Sequence, residues 1–282
     1  MTDLNAHSGT AIRPYGDTAV RPCGATALRE VPAGDAAVPR LELVEWATRY
    51  GLVAGVTTRG AGNGFSLGLW SDEPVGQVLT RWRAFAEAFQ PRFTGIALGH
   101  QVHGTTVHWH SHASDGWLLL DGVDGHATTV PGLLLAATVA DCIPIYLAAP
   151  ARGAVALLHA GWRGIAGRVL DAGVAALQSH ASVSVDDLVM HCGVGICGQC
   201  YEVGSEVIER LTGERTSGPR PVDLRAVLAA RAAHLGLGSV STSPWCSAHD
   251  RDQFFSHRAS GGRDGRMVAY LGRPSPGRPR TA

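Results

Sequence analysis

The chain has 282 residues, 24 acidic and 24 basic, a formal net charge of zero and a hydrophobic content of 45%. All 24 basic residues are arginine, which excludes Schiff-base lysine chemistry, pyridoxal enzymes and class I aldolases among it, and any lysine-bearing phosphate loop. Balanced charge without a basic run argues against a nucleic-acid binder, and no apolar run reaches the ~18 residues that a bilayer span requires.

The first 40 residues are rich in Ala, Gly, Pro and Thr and show no period that could bury a face, so they are expected to be a disordered or loosely attached and dispensable extension. They also lack a charged start followed by an apolar core, so no secretory leader is read and the cytoplasm is the expected compartment. A domain is expected over 41–272 and a loose Pro/Arg tail over 273–282. Residues 52–58 read as a first strand and 60–68 as a Gly-rich loop. Leu79, Trp82, Phe85, Ala86 and Phe89 recur at helical spacing and predict an amphipathic helix over 76–89. Strands are expected at 96–98 and 105–109, on either side of Gln101-Val102-His103-Gly104.

The run TVADCIPIYLAAPARGAVALLHAGWRGIAGR follows, residues 138–168. Apolar segments at 133–139, 143–148 and 154–158, bounded by Gly and Pro, predict buried strands, and 165–177 reads as a helix. Asp141-Cys142 interrupts the first pair of strands, and His159 ends the last. Further strands are expected at 188–192, 240–243 and 267–271, and helices at 205–211 and 224–235, the second capped by Asp223. With no internal repeat and no long interior linker, the chain reads as a single α/β domain of mixed sheets covered by helices, a layered α/β sandwich.

There are six cysteines: Cys23, Cys142, Cys192, Cys197, Cys200 and Cys246. Without a leader, a disulfide scaffold is not expected. Cys197-Gly-Gln-Cys200 has the spacing of a redox pair or half a zinc site, but no second CxxC follows, which weakens a zinc-ribbon reading. His108, His110 and His112 alternate and would share one face of a strand; they read as its wet face, with Val107 and Trp109 turned to the core.

His103, Cys142 and His159 each lie where a strand meets a Gly- or Pro-containing turn, so all three can converge at one sheet edge. Two imidazoles and a thiolate suit Zn²⁺ and leave a fourth position for water or substrate. A small buried Cys and two satisfied core histidines would leave the same traces, and spacing alone leaves both readings open. Arg163, flanked by Gly161 and Gly164 at a helix start, can fork onto phosphate. Arg59 and Arg258 are further candidates for the same anion. Asp141 can orient a ligand, accept a proton, or simply cap a turn.

GHQVHG (99–104), TVADCIPIYLA (138–148), LLHAGWRG (157–164), CYEVG (200–204) and FFSHR…DGRM (254–267) together resemble the laccase-domain family. Its members were first described as multicopper polyphenol oxidases and later as zinc-dependent purine nucleoside phosphorylases with adenosine deaminase activity. The resemblance covers roughly residues 50–272. It implies that His103, Cys142 and His159 are the metal ligands, with about one zinc per chain and copper as the other possible metal. It also implies purine nucleoside and phosphate as small-molecule substrates, and a monomer or homodimer. The chain departs from the family pattern at Gly68, Cys197, Gln199 and His257.

Three function classes follow. A nucleoside enzyme would break the N-glycosidic bond with phosphate held by Arg163, Arg258 and Arg59, or would deaminate adenosine at its metal. A copper oxidase would need several His-x-His pairs and a Cys flanked by His; here Cys142 is flanked by Asp141 and Ile143, and only VHWHSH supplies His-x-His. A cysteine hydrolase would use Cys142 as nucleophile and His159 as base, and would survive chelation. A non-catalytic binding module is the remaining alternative.

Overall fold

Successive residues of the strand Ile143–Ala149 serve two different cores. Ile143, Ile145, Leu147 and Ala149 pack in one, Tyr146 and Ala148 in another. The same split occurs along Ala154–Ala160, where Ala154, Ala156, Leu158 and Ala160 oppose Val155 and Leu157. A strand buried on both faces must be apolar at every position, which is why these segments read as unbroken apolar runs rather than as alternating ones. The computed structural model describes residues 25–34, 38–62, 64–90 and 92–276.

Two seven-stranded mixed sheets lie face to face. The first runs Thr26–Ala27, Ser239–Thr242, Val189–Cys192, Ile143–Ala149, Ala154–Ala160, Gly125–Thr128 and Val107–His110. The second runs Val31–Pro32, Arg40–Glu42, Val53–Thr57, Met267–Gly272, Leu133–Val139, Gly95–His100 and Gly116–Asp121. Leu133, Leu135, Ala137 and Val139, with Met267, Ala269 and Leu271, meet Tyr146 and Leu157 in the core between the sheets. Leu134, Ala136, Val268 and Tyr270 turn the other way, against Trp82, Phe85 and Phe89 of the helix Val75–Phe89. On the far side, the helices Val169–Ala181 and Leu224–Leu235 cover the first sheet. The order is helix, sheet, sheet, helices: the expected layered α/β sandwich. Tyr146 pins the two sheets together, its hydroxyl donating to the Gly55 carbonyl at 2.7 Å.

Most expected elements are present within a residue or two, and Asp223 caps its helix by accepting from the amides of Arg225 and Ala226. Four differences have physical causes. The helix expected over 165–177 is two, Trp162–Ala166 and Val169–Ala181, because the chain turns at Gly167-Arg168, with Arg168 in the left-handed region at φ 71°. His110 does not belong to a wet face: it is buried with His126, their ring nitrogens 3.0 Å apart.

The stretch expected to be a loose extension is built into the fold from residue 25 to 34. Thr26–Ala27 and Val31–Pro32 add edge strands to the two sheets. Glu30 between them is 1% exposed, facing His191 at 3.0 Å and accepting from Ser243 at 2.7 Å. The expected boundary at Leu41 thus falls inside paired structure, and Cys23 lies outside the described residues. At the other end, Arg273 and Ser275 are tied by backbone bonds to Gly132 and Arg92. No helix among the described residues is long and apolar enough to cross a membrane.

Candidate active site

The chain crosses between the two sheets at one end of the sandwich, and the crossings carry the candidate ligands. Gly95–His100 of the second sheet is joined to Val107–His110 of the first by the loop holding His103. Leu133–Val139 of the second sheet passes into Ile143–Ala149 of the first through Ala140-Asp141-Cys142. His159 shares the parity of Val155 and Leu157, so it stands where the core between the sheets ends, and it is 3% exposed. Gln101 locks the two crossings together: its amide donates to the Thr138 carbonyl at 2.9 Å and accepts from the Thr138 amide at 2.8 Å. The side chain thereby continues a strand pairing whose backbone register ends at Leu98–Ala136.

The donor atoms of His103, Cys142 and His159 all lie within 4.8 Å of one another. The two imidazole rings meet edge to face, 4.9 Å between centroids. Because Ile143 pairs with Ala160, Cys142 falls opposite Gly161. A Cβ at Gly161 would sit 2.8 Å from the His103 ring and 2.9 Å from the Cys142 sulfur, so only glycine lets the cluster close. His103 and Asp141 both hold left-handed backbone, at φ 59° and 83°. Non-glycine residues keep that conformation only where their surroundings impose it, and such residues cluster at functional sites.

Asp124 imposes it on the histidine loop. This carboxylate, which the sequence reading did not single out, accepts from the amides of Val102, His103 and Gly104 at 3.1, 3.0 and 2.7 Å, and faces His159 Nδ1 at 2.9 Å. Burial opposes its charge, but the hydrogen bonds from His159 and these amides prevail and hold its carboxyl below the usual range. A carboxylate on Nδ1 fixes the tautomer and leaves Nε2 of His159 for a ligand, the second partner that metal-bound histidines ordinarily have.

Electrostatics of the triad fit a cation. Burial would keep the Cys142 thiol protonated, yet the His159 charge and hydrogen bonds from both imidazoles bring its pKa down to about 6. Burial likewise opposes charge on His159, and the Cys142 thiolate together with Asp124 raises it to about 9. Each partner thus favours the charged form of the other, a thiolate beside an imidazolium, and a cation entering the cluster would displace the His159 proton. Two imidazoles converging on one thiolate also exceed what a nucleophile and its base require.

The triad floors a cavity of about 520 Å³. Arg163 lines it, its guanidinium 4.4 Å over the Trp162 ring and with no acidic partner among the described residues. Arg258 lines it too, over Tyr201 at 5.0 Å, with one nitrogen donating to the Glu202 carbonyl. Arg266, Tyr201, Trp70 and His100 complete the wall without having been singled out in the sequence. The last two stack at 4.5 Å, forming a flat aromatic platform. Arg59 is not brought in: it is paired with Asp264 at 2.6 Å and lies over Phe255. Asp141 reaches the cavity wall, but one oxygen accepts from Ser247 and the other from the Arg258 amide, both at 2.6 Å. It fixes the Arg258 turn, and neither oxygen is left without a donor.

The family described as multi-copper polyphenol oxidoreductase laccase matches residues 48–274. A relative named purine nucleoside phosphorylase YlmD, from Geobacillus stearothermophilus, is 32% identical over 248 residues, covering 79% of this chain and 90% of its own. Another, adenosine deaminase RL5 from an unknown prokaryotic organism, is 34% identical over 165 residues, covering 54% of this chain and 63% of its own. The crystal structure of the Geobacillus protein superposes with a TM-score of 0.77 at 27% identity, over 87% of this chain and the whole of that one. Matched along most of its length in sequence and in fold, this chain belongs to the multi-copper polyphenol oxidoreductase laccase family.

Proposed function

We propose that this enzyme is a purine nucleoside phosphorylase that holds one zinc at His103, Cys142 and His159 and also deaminates adenosine. The observation that carries the reading is a 2-His, 1-Cys donor set on the floor of a cavity whose wall offers Arg163 and Arg258. When bound, zinc supplies a Lewis acid and an acidified water with one coordination position open. The chain's own residues do the rest. Asp124 keeps His159 in the tautomer that presents Nε2. Arg163, preorganised over Trp162, and Arg258, its backbone held by Asp141 and its guanidinium by the Glu202 carbonyl and the Tyr201 ring, hold phosphate as charge-assisted partners. Positive charge developing on the ribose as the N-glycosidic bond breaks is then met by a nucleophile already held in line. The Trp70–His100 platform offers a face on which a purine can stack.

A single Cys with two His accepts copper as well as zinc. The oxidase reading, however, lacks further ligands: among the described residues, the histidines of VHWHSH join neither potential metal cluster. None of the five described cysteines is in a disulfide, and the proposed compartment is the cytoplasm. The test is incubation with adenosine, inosine and 5′-methylthioadenosine, with and without phosphate, followed by product identification. Free base and a sugar 1-phosphate, formed only with phosphate and lost on chelation, are expected. Turnover that survives complete metal removal would move the assignment to the cysteine hydrolase.

A further inference from the structure

Cys197-Gly-Gln-Cys200 lacks a second CxxC in the sequence, but the fold supplies a different partner. Cys246-Ser-Ala-His249, 46 residues on from Cys200, brings a thiol and an imidazole at the same spacing. The donor atoms of all four residues lie within 4.8 Å of one another. Nδ1 of His249 is 3.5 Å from the Cys197 sulfur and 3.4 Å from the Cys200 sulfur. Ligands at about 2.3 Å for sulfur and about 2.0–2.1 Å for nitrogen around a tetrahedral ion stand about 3.5–3.8 Å apart. The two sulfur–nitrogen edges, at 3.5 and 3.4 Å, are at or just below that length.

The surrounding backbone is folded for the same purpose. The Cys197 amide donates to the Cys246 sulfur at 3.3 Å, and the Cys200 amide closes a turn on the Cys197 carbonyl. The second turn is held by Asp250, whose carboxylate accepts from the Cys246 amide and whose own amide donates to the Cys246 carbonyl. Each pair thus sits on a short turn with its side chains directed at the other. Among the described residues none of the four belongs to a hydrophobic cluster, although Cys246 is itself buried, at 1% exposure.

We infer that Cys197, Cys200, Cys246 and His249 form a second metal site, a closed Cys₃His zinc centre separate from the triad in the cavity. Four protein ligands leave no open position, so the role is structural. The ion would join the loop 193–204 to the loop 243–256. Those loops build one wall of the cavity: Ile196 and Tyr201 line it, and Ser247 holds Asp141, which in turn holds the Arg258 amide.

The test is metal content of the full chain by elemental analysis. Two zinc ions per chain are expected in the wild type, one in Cys142→Ala, one in Cys246→Ser and none in the double variant. Cobalt substituted into Cys142→Ala should show the intense visible absorption of tetrahedral thiolate coordination. Should Cys246→Ser not fold, Cys142→Ala still decides. A wild type with a single zinc that disappears in Cys142→Ala would overturn the inference, as would a disulfide between any two of these cysteines in protein purified with reductant. Because Cys142→Ala removes the cavity metal and its count is read without any turnover, failure of the nucleoside assignment leaves this result distinguishable.

Discussion

Replacing Asp124 by Asn should loosen the metal triad while removing only a charge and one acceptor. The native carboxylate serves four donors: its Oδ1 faces the His103 amide and His159 Nδ1, its Oδ2 the amides of Val102 and Gly104. An asparagine whose oxygen takes the first pair turns its NH₂ toward the second pair, so two donors face a donor. At roughly 1.5–3 kcal/mol for each hydrogen bond to a charged acceptor, the cost is about 3–6 kcal/mol. The loss falls on the 102–104 loop, which must then unfold locally or hold His103 away from Cys142. Zinc affinity should drop by about 10–100-fold, the range seen when a partner of a metal-bound histidine is changed. Competition against a chromophoric chelator measures it, with circular dichroism as the control for folding. An Asp124→Asn protein with wild-type zinc affinity would refute the claim that this carboxylate holds the triad.

Three further outcomes are expected. Arg163→Ala should raise the KM for phosphate about 30-fold, the equivalent of about 2 kcal/mol for a charge-assisted contact, with little change in melting temperature; an unchanged KM would make Arg163 structural. A chain beginning at residue 41 should be less stable to urea than one beginning at residue 25 by about 2–6 kcal/mol, because His191 and Ser243 lose the buried Glu30 carboxylate; equal midpoints and slopes would show that the segment adds nothing. Burial, with the neighbouring histidines, lowers His110 to about 4 and His126 to about 3. At these two sites the unfolded chain therefore binds more protons below pH 6.5, so they cost nothing above that pH and destabilise the fold as acid approaches pH 4, by on the order of 3 kcal/mol for His126. Denaturation curves of wild type and His126→Gln at pH 7.5 and 4.5 check this, and an identical loss in both would exclude the pair as its source.

Burial on both faces made the centre of the fold legible. The strands at 133–139, 143–149 and 154–160 announce themselves because every position is apolar, and the residues that break the pattern, Cys142 and His159, are the ones at the site. Gly116–Asp121 was missed as a second-sheet edge strand; Trp117 and Leu119 are 44% and 53% exposed, so it presents no buried face to read. Asp124 was invisible because it sits in DGVDG, which reads as turn chemistry, while its donors come from residues 102–104 and 159. The break before Arg168 had one local sign, Gly167, the helix C-cap; the left-handed residue itself is an arginine, which has no preference for that backbone. Glu30 looked like one polar residue in a featureless stretch; only the tertiary partner His191, 161 positions away, gives it a role. Cys197 and Cys200 carry a visible CxxC spacing, but their partners Cys246 and His249 form a CxxH pair, which is not a second CxxC.

The position of the triad at the seam of two sheets has a consequence for the whole molecule. His103 and Cys142 are held by loops that each leave one sheet and enter the other, and His159 belongs to the first sheet alone. A slide of one sheet over the other by even a fraction of an ångström changes the distances among the three donors. Thermodynamic reciprocity would then run in both directions: a cation held there would brace the two sheets against each other, and a substitution between the layers would register as altered cation affinity. Trimming Leu157 or Leu135 should therefore disturb the three donors from within the core, whereas equal changes beneath the outer helices should leave them alone. The cation affinity of the triad would in this sense gauge the packing between the layers.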